Sequence, residues 1–383
     1  MNMNVILNMD YYDNVVSSDV PYDEPLIEGF MQKCKENGVE IIHWRLSICG
    51  KLFYPSKVRA EDVFQEGPSN VDSSKVRNIL EKFDPLEVAT RMAHKYGLKV
   101  YAWITLMDEY YMRKGDTVGL ESQFVVKHPE YTWISRDGKH HMLGAICYDY
   151  PEVVEHRLKE IEEVLSYDID GLYLCTRSHA KHSLPVLEED FYGFNEPWVR
   201  KYKERFGVDI LTKDFDSDAL SAIRGESFTD FLALVKARTE AKGIPLIVGL
   251  RKGKHEAMNM YPYAKIHYNW RHWVENNLVD EVSMCAGEDF HDHSKEWLDE
   301  IGIDFADYCI QHGKKMNVWI RLWDWSNKYV NRETDSCPTK PFDVVKQLMQ
   351  TVASYPNLNT VALHEALNVE VKDLWKAIDL RNG

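Results

Sequence analysis

At 383 residues the chain exceeds the ~250 typical of a compact eight-fold barrel, yet it falls within the range of one with insertions. Apolar residues make up 44% and aromatics 12%, so a large core is within reach. Acidic residues outnumber basic ones by 61 to 46, and the net charge of −15 argues against nucleic acid as a partner for the general surface.

The seven cysteines are odd in number and scattered without a C-x-x-C, which points to reduced thiols in the core rather than a disulfide framework or zinc site. No run of ~18 apolar residues is present, so no membrane span is expected. A first strand beginning by about Val5 leaves no room for a signal peptide. A cytoplasmic protein is the expectation; an exported one that had lost its signal would read the same way.

In chain order, β-rich runs fall at NVILNMDYY (4–12), VEIIHWRLSICG (39–50), KVYAWITLMDEY (99–110) and DGLYLCTRSHA (170–180). They continue at PLIVGLRKG (245–253), VDEVSMCAG (279–287), KMNVWIRLWDW (315–325) and NTVALHEALN (359–368). Amphipathic helical patterns lie between them, among them 85–97, 153–167, 228–243 and 341–355, with Gly97 placed as a C-terminal stop. Eight alternations predict a single (β/α)8 TIM barrel over 1–383, an α/β fold, and no G-x-G-x-x-G supports a doubly wound sheet. Long connections after strands 2, 3 and 4 (50–84, 110–152 and 180–227) would all rise over the C-terminal face, where barrels carry their sites.

Strand alternation then sorts the side chains, because the face turned to the helices should be apolar. Ile42, Trp44 and Leu46 take that face in strand 2, so His43, Arg45 and Ser47 point inward. The same logic turns Asn8 and Asp10, Trp103, Tyr173, Cys175 and Arg177, Gly249 and Arg251, Trp319, Arg321 and Trp323, and His364 into the barrel, and Glu109 if strand 3 runs that far. Arg45, Arg177, Arg251 and Arg321 come from four different strands, and buried guanidiniums need partners. Either Asp10, Glu109 and Glu281 neutralise them internally, or an anionic ligand does so through their bidentate forks. Trp103, Trp319 and Trp323 offer flat faces for a sugar ring or, equally, for core packing.

Three segments, taken together, resemble the family-10-like glycoside hydrolases. They are HPEYTWISRDG (128–138) followed by YDYPEVVEHRLKEIEEVLSYDIDGLYL (148–174), FYGFNEPWVRKYKERFGVDI (191–210), and NWRHWVENNLVDEVSM (269–284). The resemblance spans roughly 95–290 and implies a barrel fold and a carbohydrate substrate. The aspartate that this family carries on strand 4 falls on Cys175 here, so a mechanism using that carboxylate is not expected. Cys175 reads better as packing than as a nucleophile.

Glycoside hydrolysis usually employs two carboxyl groups. At the strand C-termini the candidates are Glu365, Asp324 and Glu288, with Asp10 better suited to binding a hydroxyl. Substrate contacts are expected from Asp10, His43, Arg45, Trp103, Glu109, Tyr173, Arg177, His179, Arg251, Arg321, Trp323 and His364. The H-D-H at His291 and His293 could bind a metal, but helical H-E-x-x-H spacing is absent, and neither metal nor cofactor is expected. The leading expectation is hydrolysis of an acidic oligosaccharide, uronate or sulfated. A lyase with Tyr173 or His364 as base, and a sugar-binding barrel without catalysis, stand as alternatives. The sugar, the linkage and the oligomeric state are not legible.

Overall fold

A computed structural model describes residues 3–18, 20, 22–64, 73–113, 116–176, 191–251, 258–259, 265–285, 305–322 and 339–382. Eight strands form a closed parallel barrel: β1 (Asn4–Met9), β2 (Val39–Arg45), β3 (Lys99–Thr105), β4 (Gly171–Cys175), β5 (Leu246–Arg251), β6 (Glu281–Cys285), β7 (Lys315–Arg321) and β8 (Thr360–His364). Each pairs with its sequence neighbours, and β1 closes the ring by pairing with both β2 and β8. The (β/α)8 barrel expected from the sequence is therefore the fold.

Closure needs both faces of every strand covered, and the apolar residues divide accordingly. Val5, Leu7, Ile42, Trp44, Leu172, Leu174, Val248 and Val318 join the large core beneath the helices. Ile6, Ile41, Tyr101, Trp103, Tyr173, Cys175, Ile247, Cys285, Trp319 and Ala362 form a second, separate cluster inside the ring. Trp103, Tyr173, Cys175 and Trp319, which alternation turns inward, belong to this second cluster.

Local signals explain the helices. The helix Pro85–Lys95 starts with proline in its first turn behind Asp84, whose carboxylate accepts from the amides of Leu86 and Glu87. It stops at Gly97, which adopts a left-handed φ of 67°. The helix Ser217–Lys242 begins eleven residues before the apolar pattern suggested, capped by Asp216. Its internal Gly225 is required, since a Cβ there would come within 1.8 Å of the His267 carbonyl oxygen.

Strands end sooner than their β-forming residues suggest, because the chain turns at the rim. After β2 a small antiparallel hairpin pairs Ser47–Ile48 with Lys51–Leu52, turning through Cys49 (φ 46°) and Gly50 (φ 85°). Two more hairpins follow β3, at 110–121 and 132–146. Buried charges hold these excursions down. Arg59 donates to Asp62 at 2.9 Å, Glu160 at 2.8 Å and Glu109 at 3.1 Å. Arg157 donates to Glu160 at 2.6 Å and also pairs with Glu109. Burial and the neighbouring guanidiniums keep His156 neutral by pushing it down to about 3.

Among the described residues no helix is long and apolar enough to cross a membrane.

The lock makes an acid-stability prediction. Burial alone would raise Glu160, but Arg59 and Arg157 outweigh it and bring its carboxyl down to about 2. A depressed carboxyl contributes stability above its unfolded value of about 4.3 and loses it as pH falls toward the folded one. Glu160→Gln should cost about 3–5 kcal/mol in denaturant unfolding at pH 7, as for other broken buried pairs. The gap to wild type should close between pH 4 and 2, and a gap independent of pH would contradict this.

Candidate active site at the barrel mouth

The site is built where β1 and β8 meet. Asp10 follows β1 and heads the short helix α1 (Tyr11–Ser17), whose first turn carries Asp13. Three residues along a helix return a side chain to nearly the same side, so Asp13 comes back toward Asp10. Glu365 follows β8, joined to His364 by a cis peptide bond, and heads the helix Ala366–Val371. One oxygen from each of Asp10, Asp13 and Glu365 lies within 4.8 Å of the other two.

Arg45 stands beside this trio and is nearly inaccessible, with 1% of its side chain exposed. Its Nη1 donates to Asp10 Oδ2, and its Nη2 donates to Asp108 Oδ2 at 3.0 Å. The Cys49 amide donates to the same Asp108 oxygen at 3.2 Å. One guanidinium thus serves two buried carboxylates, and its Cζ lies 5.3 Å from the centre of the Trp103 ring.

The shared charge matters for Asp13. Burial pushes its carboxyl up, the negative Asp10 adds to that, and Arg45 opposes it; the balance is about 7. A half-buried aspartate therefore still carries a proton near neutrality.

Below the carboxylates, aromatic rings run across the barrel. Tyr101 stacks near His43 at 5.8 Å, His43 on Tyr173 at 4.3 Å, and Tyr173 meets Trp103 at 5.7 Å. Trp103 meets His364 edge-on at 5.8 Å, and His364 stacks on Trp319 at 4.4 Å. Arg321 lies over Trp319 at 5.8 Å and is partly exposed. Burial pushes His43 down to about 3, so this imidazole is neutral.

The expected site residues thus fall into groups. Asp10, Arg45, His364 and Glu365 gather at the mouth; Trp103, Tyr173 and His43 line the interior beneath; Arg321 closes the rim of β7. Glu109 does not neutralise Arg45 or Arg321: its two oxygens pair with Arg59 and Arg157, which come from outside the barrel strands. Glu281 is likewise no partner for Arg45. It sits at the opposite end of the barrel, accepting from Asn317 at 2.6 Å, and Ser283 donates in turn to Asn317 at 2.6 Å. Cys175 is packed in the inner cluster.

Arg251 ends β5 level with Cys285, and its side chain lies outside the described residues. Glu288, Asp324, Arg177, His179, Trp323, His291 and His293 also lie outside them. Among the described residues, Asp10, Asp13 and Glu365 are the one group of carboxylates, histidines or thiols spaced closely enough to hold a cation. A carboxylate cluster of this kind serves proton chemistry equally well.

Sequence reasoning missed Asp13. The D-x-x-D spacing of Asp10 and Asp13 was its signal, hidden because the run 4–12 reads as a strand.

No protein-family model matches the chain, and no curated protein sequence matches it. Solved structures do share its fold. The catalytic domain of a β-amylase from Paenibacillus polymyxa aligns with a TM-score of 0.56 at 11% identity, covering 96% of this chain and 93% of that one. A β-galactosidase from the haloarchaeon Halorubrum lacusprofundi also gives 0.56 at 11% identity, over 95% of this chain but only 52% of that enzyme. A putative α-L-fucosidase from Bacteroides thetaiotaomicron gives 0.51 at 12%, covering 98% and 95%. The chain spans about half the length of that β-galactosidase. Barrels carried by glycoside hydrolases are thus the structural neighbours, and at these identities the likeness is one of fold.

The raised Asp13 carboxyl has a measurable signature. A folded value of about 7, above the ordinary aspartate value, contributes stability at low pH that is lost as pH rises through it. Asp13→Asn removes that dependence. The variant should gain stability relative to wild type on going from pH 5 to pH 8 in denaturant unfolding, whereas parallel curves would show that Asp13 titrates normally.

Proposed function

We infer that this chain is one barrel domain that hydrolyses glycosidic bonds at its C-terminal mouth, with Asp13 and Glu365 as the working carboxyl pair. The observation that carries this is the convergence of Asp13 and Glu365 within 4.8 Å, one of them holding its proton near pH 7. Unequal proton affinity in a close carboxyl pair is what assigns acid and base roles. The fold shared with named glycoside-cleaving enzymes is compatible with it.

In this reading Asp13 gives its proton to the leaving glycosidic oxygen. Glu365 attacks the anomeric carbon from the other side, and Asp13, now ionised, activates the water that releases the sugar. The short separation belongs with retention of configuration, for which carboxyl groups lie about 5–5.5 Å apart. Asp10 stays paired with Arg45, and burial together with the Asp10 charge keeps the proton on Asp13. Trp103 and Trp319 are buried beneath the carboxylates and form the packed floor under that site.

An acidic sugar would be held by Arg321, together with Arg177 and Arg251. Arg45 serves less well, because Asp10 and Asp108 already neutralise it. The lyase alternative needs a free base, and Tyr173 is buried between His43 and Trp103.

The experiment is turnover of matched acidic and neutral aryl glycosides by wild type, Asp13→Asn and Glu365→Gln. Each substitution should lower kcat by about 10²–10⁴-fold, the usual worth of a positioned acid or nucleophile. Wild-type activity should fall as pH rises through the Asp13 value, and the first-formed product should keep the substrate anomer by NMR. Full activity in both variants would overturn the assignment. An ultraviolet-absorbing unsaturated product would favour the lyase, and binding without turnover a non-catalytic barrel. Preference for acidic substrates lost in Arg321→Ala would support the anionic subsite.

A further inference from the structure

We propose that Asp108 is a positioning residue: it anchors the outer arm of Arg45 and so decides how much of that guanidinium's charge reaches Asp10 and Asp13. The inference rests on the reading of Asp13 as proton donor, and it concerns a residue that need not touch the sugar.

Arg45 divides its two terminal nitrogens between strands, Nη1 going to Asp10 and Nη2 to Asp108 at 3.0 Å. Asp108 is itself fixed from two directions. The Cys49 amide, in the left-handed turn after β2, donates to it at 3.2 Å. The next residue, Glu109, is gripped by Arg59 and Arg157, and its amide donates to the Gly144 carbonyl at 3.1 Å. Asp108 therefore cannot follow Arg45 inward. It holds the guanidinium between two carboxylates instead of letting it settle against the Asp10–Asp13 pair.

The charged groups facing Asp13 among the described residues are Asp10 from β1, Arg45 from β2 with Asp108 behind it, and Glu365 with His364 from β8. Helix Ser73–Leu80, packed on α1, turns Lys75 to the far end of α1, where its Nζ donates to the carbonyls of Val16 and Ser18 at 2.9 Å. Among the described residues, Arg45 is the cation whose charge opposes the raised Asp13 carboxyl. Charge interactions in so buried a cluster are screened little by solvent, so a change of partner on one arm is felt at the other.

The test is an NMR titration of the full chain labelled with ¹³C at aspartate carboxyls, with the Asp13 signal identified by its loss in Asp13→Asn. Asp108→Asn should lower the Asp13 midpoint by about one pH unit, within the range a nearby opposite charge produces. Asp108→Glu should restore it. An unchanged midpoint in a folded Asp108→Asn protein overturns the proposal.

Should Asp108→Asn fail to fold, Asp108→Ser, a smaller uncharged replacement, takes its place. Asp13 should again titrate lower than in wild type, and a midpoint that stays or rises overturns the proposal as well. A purely structural role for Asp108 would leave the Asp13 midpoint at its wild-type value. The readout needs no turnover, so a protein whose Asp13 answers to Asp108 while no glycoside is cleaved would leave this inference standing and remove the proposed function.

Discussion

A guanidinium sealed inside a barrel has to be neutralised by something, and here Arg45 is met by Asp10 on one arm and Asp108 on the other. Much of the mouth follows from that bridge. It ties the end of β1 to the chain leaving β3 across β2, which fixes where α1 starts and hence where Asp13 lies. It also leaves one positive charge shared among several carboxylates. Burial and the charge of Asp10, only partly opposed by that shared cation, push the Asp13 carboxyl up to about 7.

The same need to satisfy buried charge organises the long connections. Arg59 and Arg157 interlock with Asp62, Glu109 and Glu160, drawing the excursion after β2, the turn after β3 and the helix Pro151–Val164 into one body. Because Glu109 adjoins Asp108, this lock and the Arg45 bridge are mechanically continuous. Interlocked charges of this kind offer more geometric definition than net stability, since apolar replacements often serve stability equally well. Definition is what a site assembled from loop ends needs.

Much of the barrel is legible in the residues. In β2 the alternation of Ile42 and Trp44 with His43 and Arg45 settles which face meets the helices, because both faces of a parallel strand are covered and the polar one cannot lie under a helix. Strand ends are harder to see. Tyr11 and Tyr12 look like strand residues, yet Tyr11 packs on Trp44 at 4.9 Å as the first residue of a helix, and that turn brings Asp13 into the site. The partners of Glu109 are hidden for another reason. Arg59 and Arg157 stand 50 and 48 positions from it, and no spacing rule links them before the fold does. Arginine count alone also misleads: four inward guanidiniums suggest an anion pocket, while the geometry of Arg45 shows one already answered from within.

The seam of the barrel gives the site a topological dependence. Asp10 and Asp13 belong to the opening strand and its turn, and Glu365 to the closing strand, so they meet only when β1 docks against β8. Contacts of such sequence separation are among the last that a chain can secure, because the loop between them must first be ordered. A half-barrel intermediate could stack its strands, bury its aromatic rings and still hold no carboxyl pair. Chemistry at this mouth would then be conditional on complete ring closure, and a partly folded chain, however compact, would be silent.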